Sequence, residues 1–237
     1  MWPEVLSFGD HGFGDEILFL GAPMTVGLAL ASLVWGLLLG LGNASLGLSR
    51  SIVLRVIADA YTTVIRGIPE FLVLMIVYYG AQQLIQYLIA DIFAYEGEVV
   101  VSKFGAGTFA LGLIFGAYAG EVFRGAFLAV PQGQIEAGLA CGMSRRQVFL
   151  RIHMPQMWRF AIPGLGNLWM VLIKDTSLVS VIALDETLRW CKVAAERTGQ
   201  HFESYLFGLV IFLALAMVSD AVRHRLEERA SRGVRRA

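Results

Sequence analysis

Cysteine is scarce. Only Cys141 and Cys191 occur in 237 residues, far apart and without a CxxC pair, which excludes a disulfide framework and a thiolate metal site. The four histidines, His11, His153, His201 and His224, are scattered, so imidazole builds no metal centre either. Charge is sparse too. Asp, Glu, Lys and Arg make up 16% of the chain and sum to a formal net charge of zero, which leaves no charged face suited to nucleic acid. A GxxxxGK[ST] loop is absent, so nucleotide is expected on another polypeptide and no cofactor on this one. No GxSxG elbow occurs, and Ser177 and Ser180 have no histidine near them in sequence, which leaves an intramembrane hydrolase poorly supported. The opening "MWPEVLSFGDHGFGDE" lacks the basic n-region of a signal peptide, so the first apolar block is expected to stay as an anchor.

What the chain has in abundance is apolar surface. Hydrophobic residues make up 57% and mean hydropathy is +0.64, above the range of soluble domains. The apolar residues fall in blocks about as long as a bilayer is thick, over about 20–42, 70–90, 107–130, 160–183 and 204–222. An all-α membrane protein with about five transmembrane helices follows. Nothing resembles an internal repeat or a long linker, so residues 1–237 are expected to form a single transmembrane domain. Between the first two blocks, "SIVLRVIADAYTTVIRG" places Arg55, Asp59, Thr62 and Arg66 at helical spacing, which predicts an amphipathic helix over about 51–66 at the membrane.

Basic residues set the expected orientation. Arg50, Arg55 and Arg66 lie between the first two spans. Arg124, Arg145, Arg146, Arg151 and Arg159 lie between the third and fourth. Arg223, Arg225, Arg229, Arg232, Arg235 and Arg236 follow the fifth. The other connections hold only Lys103, Arg189, Lys192 and Arg197. The positive-inside rule then puts the N-terminus outside and the C-terminus in the cytoplasm.

One cytoplasmic stretch, residues 132–156, is unusually polar for this chain. "IEAGLA" predicts a short helix that Gly142 ends in the left-handed conformation. Ser144 with Gln147 three positions on has the form of a capping box for a second helix. Val148, Phe149 and Ile152 give that helix an apolar side, Arg145, Arg146 and Arg151 stay wet, and Pro155 is expected to stop it. The product is an elbow suited either to docking into a partner's groove or to service as an ordinary capped loop.

Here the residues carry a resemblance. Glu136-Ala137-Gly138, then Gly142, Ile152 and Met154-Pro155 resemble the EAA loop of the membrane subunits of bacterial ABC importers, with Gly138 where the motif usually has alanine and Met154 where it has leucine. "YTTVIRGIPEFLVLMIVYYG", "FGAYAGEVFRGAFLAVPQGQIEA" and "LIKDTSLVSVIAL" are similar to the polar amino-acid permeases, in particular the Q-type subunits of the histidine and lysine/arginine/ornithine type. The resemblance implies the type I importer permease (MetI-like) fold in the bacterial inner membrane. It also implies a sister permease or second copy, two cytoplasmic ATPase subunits carrying ATP and Mg, and an extracytoplasmic amino-acid-binding protein. Glu136, Ala137, Gly138, Gly142, Arg145, Arg146, Ile152 and Pro155 would then dock the ATPase. The alternatives, an intramembrane enzyme or a channel or scaffold subunit, have no use for a coupling loop.

Ionisable groups within spans cost at least ~2.5 kcal/mol each on insertion scales, so each needs a partner or a purpose. Glu121 and Arg124 are three apart and are expected to neutralise each other. Lys174 and Asp175 adjoin, and helix neighbours point about 100° apart, so each must look elsewhere. Glu70 follows Pro69 at a helix break; it either faces the pathway, where a carboxylate favours a cationic substrate, or pairs with Arg66. Glu70, Glu121, Lys174 and Asp175 are the candidates for the substrate path.

Overall fold

A computed structural model describes residues 12–93 and 101–231. His11, most of the acidic opening stretch and the basic residues Arg232, Arg235 and Arg236 lie outside the described residues. Among the described residues all regular structure is helical. A π-helical turn, Glu16–Gly21, leads into α1 (Ala22–Gly47); α2 (Ile52–Gly67), α3 (Glu70–Phe93), α4 (Lys103–Leu128), α5 (Gln132–Ala140) and α6 (Arg145–Val148) follow. A second π-helical turn, Phe149–His153, enters α7 (Met154–Asp175), which tightens to a 3-10 turn at Thr176–Ile182 before α8 (Thr187–Thr198) and α9 (His201–Ala230). Among the described residues five continuous helical stretches are long and apolar enough to cross a membrane: Glu16–Gly47, Glu70–Leu88, Lys103–Leu128, Arg145–Ile182 and His201–Ala230.

The centre of the bundle is α4. Ser102 caps it, its hydroxyl accepting from the Gly105 N–H, and its small residues let neighbours approach to backbone distance. Gly112, Gly116 and Gly120 of α4 face Ser32, Trp35, Gly36, Leu39, Gly40 and Asn43 of α1. A Cβ on Gly40 would lie 2.8 Å from the Ala119 Cβ and 3.1 Å from the Gly120 nitrogen, so the two backbones leave no room for a side chain there. The Tyr61 hydroxyl donates to the Leu113 carbonyl at 2.7 Å and the Asn43 amide to the Thr62 hydroxyl at 2.8 Å, which ties α2 to α4 and α1. The face of α2 that carries Ala58 and Thr62 therefore points inward, Arg55, Asp59 and Arg66 stay exposed, and Ile52, Val53, Val56, Ile57 and Val64 point out, as befits a helix whose surroundings are lipid.

The two ends of the bundle are distinct. One gathers the elbow formed by α5 and α6, the end of α1 and the end of α9, where the Arg159 Nε donates to the Ala230 carbonyl at 2.8 Å. The other gathers the Glu16–Gly21 turn, α8 and the start of α9 in a small apolar cluster around Ile17, Cys191 and Ile211. At that end the Lys103 Nζ donates to the Ala183 carbonyl at 3.0 Å.

Candidate functional site

The elbow has the local structure expected of its residues. α5 ends in Gly142 at φ 80°, with open space around the position a Cβ would take. Ser144 and Gln147 form the reciprocal capping box: the Ser144 hydroxyl accepts from the Gln147 N–H at 3.3 Å, and the Ser144 N–H donates to the Gln147 side chain at 2.8 Å. Two features depart from expectation. α6 is only four residues long, and Pro155 does not stop the helix: the chain continues through the π-helical turn into α7, with Pro155 in the first turn of α7. A proline lacks the N–H that a continuing helix would use, and a widened turn ahead of a fresh first turn is where that loss costs least.

Glu136, Ala137, Gly142, Arg145 and Arg146 are exposed, Ile152 is half-buried, and Pro155 is exposed. Gly138 is buried where α5 crosses the following helix: a Cβ there would come 2.6 Å from the Ile152 Cδ1 and 3.1 Å from the Val148 Cγ2. A side chain at this position would have to displace the ends of the Ile152 and Val148 side chains. Gln134, Ala137, Cys141, Arg151, Ile152 and Pro155 help line an open groove of about 440 Å³ on this elbow. The Gln156 side-chain amide donates to the Gln134 carbonyl oxygen across it.

The polar residues in the spans sort into two groups. Arg124 lies 3.6 Å from Glu121 and 3.5 Å from Asp59 of α2, so Glu121 sits in an ion cluster near the elbow, and α2 contributes a carboxylate not foreseen in the sequence. Glu70 and Arg66 are not ion-paired among the described residues. α2 ends at Gly67, Ile68 is extended and Pro69 separates the two helices, so the two side chains do not share a helix face. Arg66 instead lies over the Tyr118 ring, 5.2 Å from its centroid.

Glu70 and Asp175 come together. Both line one small cavity between α3, α4 and α7, with Leu111, Phe115, Tyr118 and Leu172 around them, and their carboxyl groups are within hydrogen-bonding and electrostatic reach of each other. Lys174, adjoining Asp175, is exposed and acts on the Asp175 carboxyl electrostatically without a paired contact. No basic side chain among the described residues makes an ion pair with either acid. Two carboxyl groups side by side in an apolar wall repel when ionised, and a cation placed between them relieves that repulsion. Neither acid is near the other in sequence, and no spacing signal joins them.

Glu186 was also outside the sequence reading. It is fully buried and caps α8, its two carboxyl oxygens accepting from the backbone N–H groups of Leu188 and Arg189 at 2.8 Å each. The Thr25 hydroxyl is 3.5 Å from it and 2.8 Å from the Thr187 hydroxyl. Burial pushes this carboxyl up to about 7, the two backbone N–H groups and Thr25 opposing the rise. An acid just ahead of a short helix, as in "LDETLR", is the cap signal that marks it.

An acid pair in a helix-walled cavity, joined through α7 to a capped elbow, is what a transport subunit driven from outside itself would need. The chain belongs to the family of binding-protein-dependent transport system inner membrane components, whose model matches residues 19–232. It is thus a membrane-spanning transport subunit of an ATP-driven importer, whose ATPase is a separate chain. It is 44% identical over 231 residues to the nopaline transport system permease protein NocQ of Agrobacterium fabrum, with 98% of each chain covered. It is 40% identical over 227 residues to the histidine/lysine/arginine/ornithine transport system permease protein HisQ of Escherichia coli, covering 96% of this chain and 98% of that one. Among solved structures it resembles that of an amino acid ABC transporter with histidines, at a TM-score of 0.77 and 28% identity over 90% of this chain and 94% of the other. The inward-facing methionine transporter MetNI shares the fold alone, at a TM-score of 0.68 and 16% identity, over 91% and 97% of the two chains.

Proposed function

We propose that this chain supplies one side of the translocation path for a cationic amino acid or a guanidinium-bearing opine. The observation that carries the reading is the acid pair: Glu70 and Asp175 face one cavity. A guanidinium offers five N–H donors in a planar fork and satisfies paired carboxylates in a way a neutral side chain cannot. The relatives transport nopaline, octopine, arginine, or histidine, lysine, arginine and ornithine by name, and cationic character recurs among them. In this reading the elbow at 132–156 docks in a cleft of a cytoplasmic ATPase subunit, where ATP and Mg bind. A sister permease completes the path, and an extracytoplasmic binding protein delivers the substrate. The basic residues at the elbow end support a cytoplasmic position for it, with the N-terminus outside the inner membrane.

The test is uptake by the whole importer in proteoliposomes with the binding protein saturated, so that selection by that protein does not mask the path. Glu70→Gln keeps size and hydrogen bonding and removes one charge. It is expected to lower uptake of an arginine- or ornithine-like substrate roughly tenfold, about the worth of one charge-assisted hydrogen bond, with assembly unchanged. Normal uptake by Glu70→Gln, or failure of that chain to assemble, would sink the assignment.

A further inference from the structure

The elbow hangs between two long helices, and how firmly its ends are held decides what it can transmit. α4 ends at Leu128, so the last carbonyls of α4 have no partner further along their own helix. One of them, that of Phe127, is met by the His153 ring, with Nε2 at 3.1 Å. A carbonyl only accepts, so the imidazole must carry its proton on Nε2 and donate. The same ring lies edge-on between Phe127 and Phe149, with centroid distances of 5.4 and 6.0 Å and interplanar angles of 76° and 67°. His153 is the last residue of the π-helical turn, in which the Met154 N–H reaches back to the Phe149 carbonyl. Such a turn accommodates one extra residue and re-aims the side chains that follow it, and π-turns recur at functional positions.

We propose that His153 is the positioning residue that pins the elbow to the end of α4. This rests on the reading of residues 132–156 as the coupling element. With the pin in place, and with Gln134 and Gln156 joined across the groove, the elbow, the end of α4 and the start of α7 move as one body. α7 stays helical to Asp175, about 33 Å at 1.5 Å per residue, with Pro163 inside it giving up one backbone bond, and α4 forms another wall of the Glu70–Asp175 cavity. A displacement imposed on the elbow by an ATPase subunit then shifts two walls of that cavity together. Without the pin, the elbow can tilt on α7 alone, and part of each motor stroke is lost as local bending.

Two substitutions separate the hydrogen bond from the ring packing. His153→Phe keeps an aromatic edge between Phe127 and Phe149 and has no donor. His153→Gln gives up the ring and keeps an N–H that reaches a carbonyl. The measurement is substrate imported per ATP hydrolysed by the complete importer in proteoliposomes, with binding protein at saturation. His153→Phe is expected to lower that ratio roughly three- to tenfold, the range for loss of one partly buried hydrogen bond, and His153→Gln to recover most of it. A His153→Phe chain that couples normally or fails to assemble overturns the pin, as does a His153→Gln chain no better than His153→Phe. A parallel Glu136→Lys variant keeps the two ideas apart: full uptake there removes the elbow's coupling role itself, whatever the His153 variants do.

Discussion

Glu186 has no exposed surface, and its carboxyl is held by two backbone N–H groups at the head of α8. Burial raises it from an ordinary 4.5 to about 7. A raised acid binds its proton more tightly in the folded chain than in the unfolded one, so folding is favoured while the group is protonated. Stability then falls as pH rises from about 4.5 to about 7 and is level above that window. The shift corresponds to a change of order 3 kcal/mol across it. Thermal unfolding of the purified chain in detergent is therefore expected to show a midpoint that drops between pH 5 and about pH 7. Glu186→Gln should flatten that slope while lowering the midpoint at pH 5 through loss of one cap bond; an unchanged slope would place the titration elsewhere. The sequence did not single this residue out because its burial depends on Thr25, 161 positions away. The elbow residues were legible for the opposite reason. Ser144 caps through Gln147 and Gly142 turns the chain at φ 80° through contacts local in sequence, so spacing alone carries them. Gly138 is intermediate: its place in the motif was readable, but its close contact with Ile152 was not.

At the scale of helices, the decisive contact is the seam between α1 and α4. The first apolar block is dense in glycine, alanine and leucine, as closely packed membrane helices are, yet period and composition do not say which helix a small face meets. The structure answers at Gly40, whose Cβ would collide with the Ala119 side chain and crowd the Gly120 backbone, while Gly42 on the same helix has nothing within 4 Å. These two make a matched pair. Gly40→Val forces the helices apart and is expected to cost about 1–3 kcal/mol of overpacking; Gly42→Val pays only the difference in helix propensity, a few tenths of a kcal/mol or less. Thermal midpoints of the two variants in detergent read the contrast directly, and equal midpoints would mean that the seam gives way. The expected stop at Pro155 failed at this scale as well. A proline disfavours the middle of a helix, but here a π-turn precedes Pro155 and α7 starts afresh around it, then continues through Pro163, a course that residue types alone do not reveal.

For the whole molecule, the two ends of the bundle differ in charge and in structure. The elbow, the Arg124 cluster and the end of α9 share one end with most of the arginines, and α8 with its buried Glu186 lies at the other. If the basic end is cytoplasmic, the groove on the elbow faces the motor and α8 faces the side from which substrate arrives. Cys141 tests this directly, because it is exposed and lines that groove, whereas Cys191 is buried and its thiol is pushed up to about 12 by burial, which leaves it unreactive. A membrane-impermeant thiol reagent is expected to label Cys141 in inside-out vesicles and not in intact cells stripped of the outer membrane. Labelling should fall when the ATPase subunits are bound, since docking would cover the groove. In a Cys141→Ser background, a cysteine placed at Gly199, where φ is 71° and a Cβ would meet open space, should show the reverse sidedness. A cysteine in such a backbone costs about 1–2 kcal/mol, which a single exposed position can bear. Labelling of Cys141 from outside the cell would invert the orientation and separate the elbow from any cytoplasmic motor. Labelling from inside that the ATPase subunits leave untouched would keep the orientation and move the docking surface off this groove.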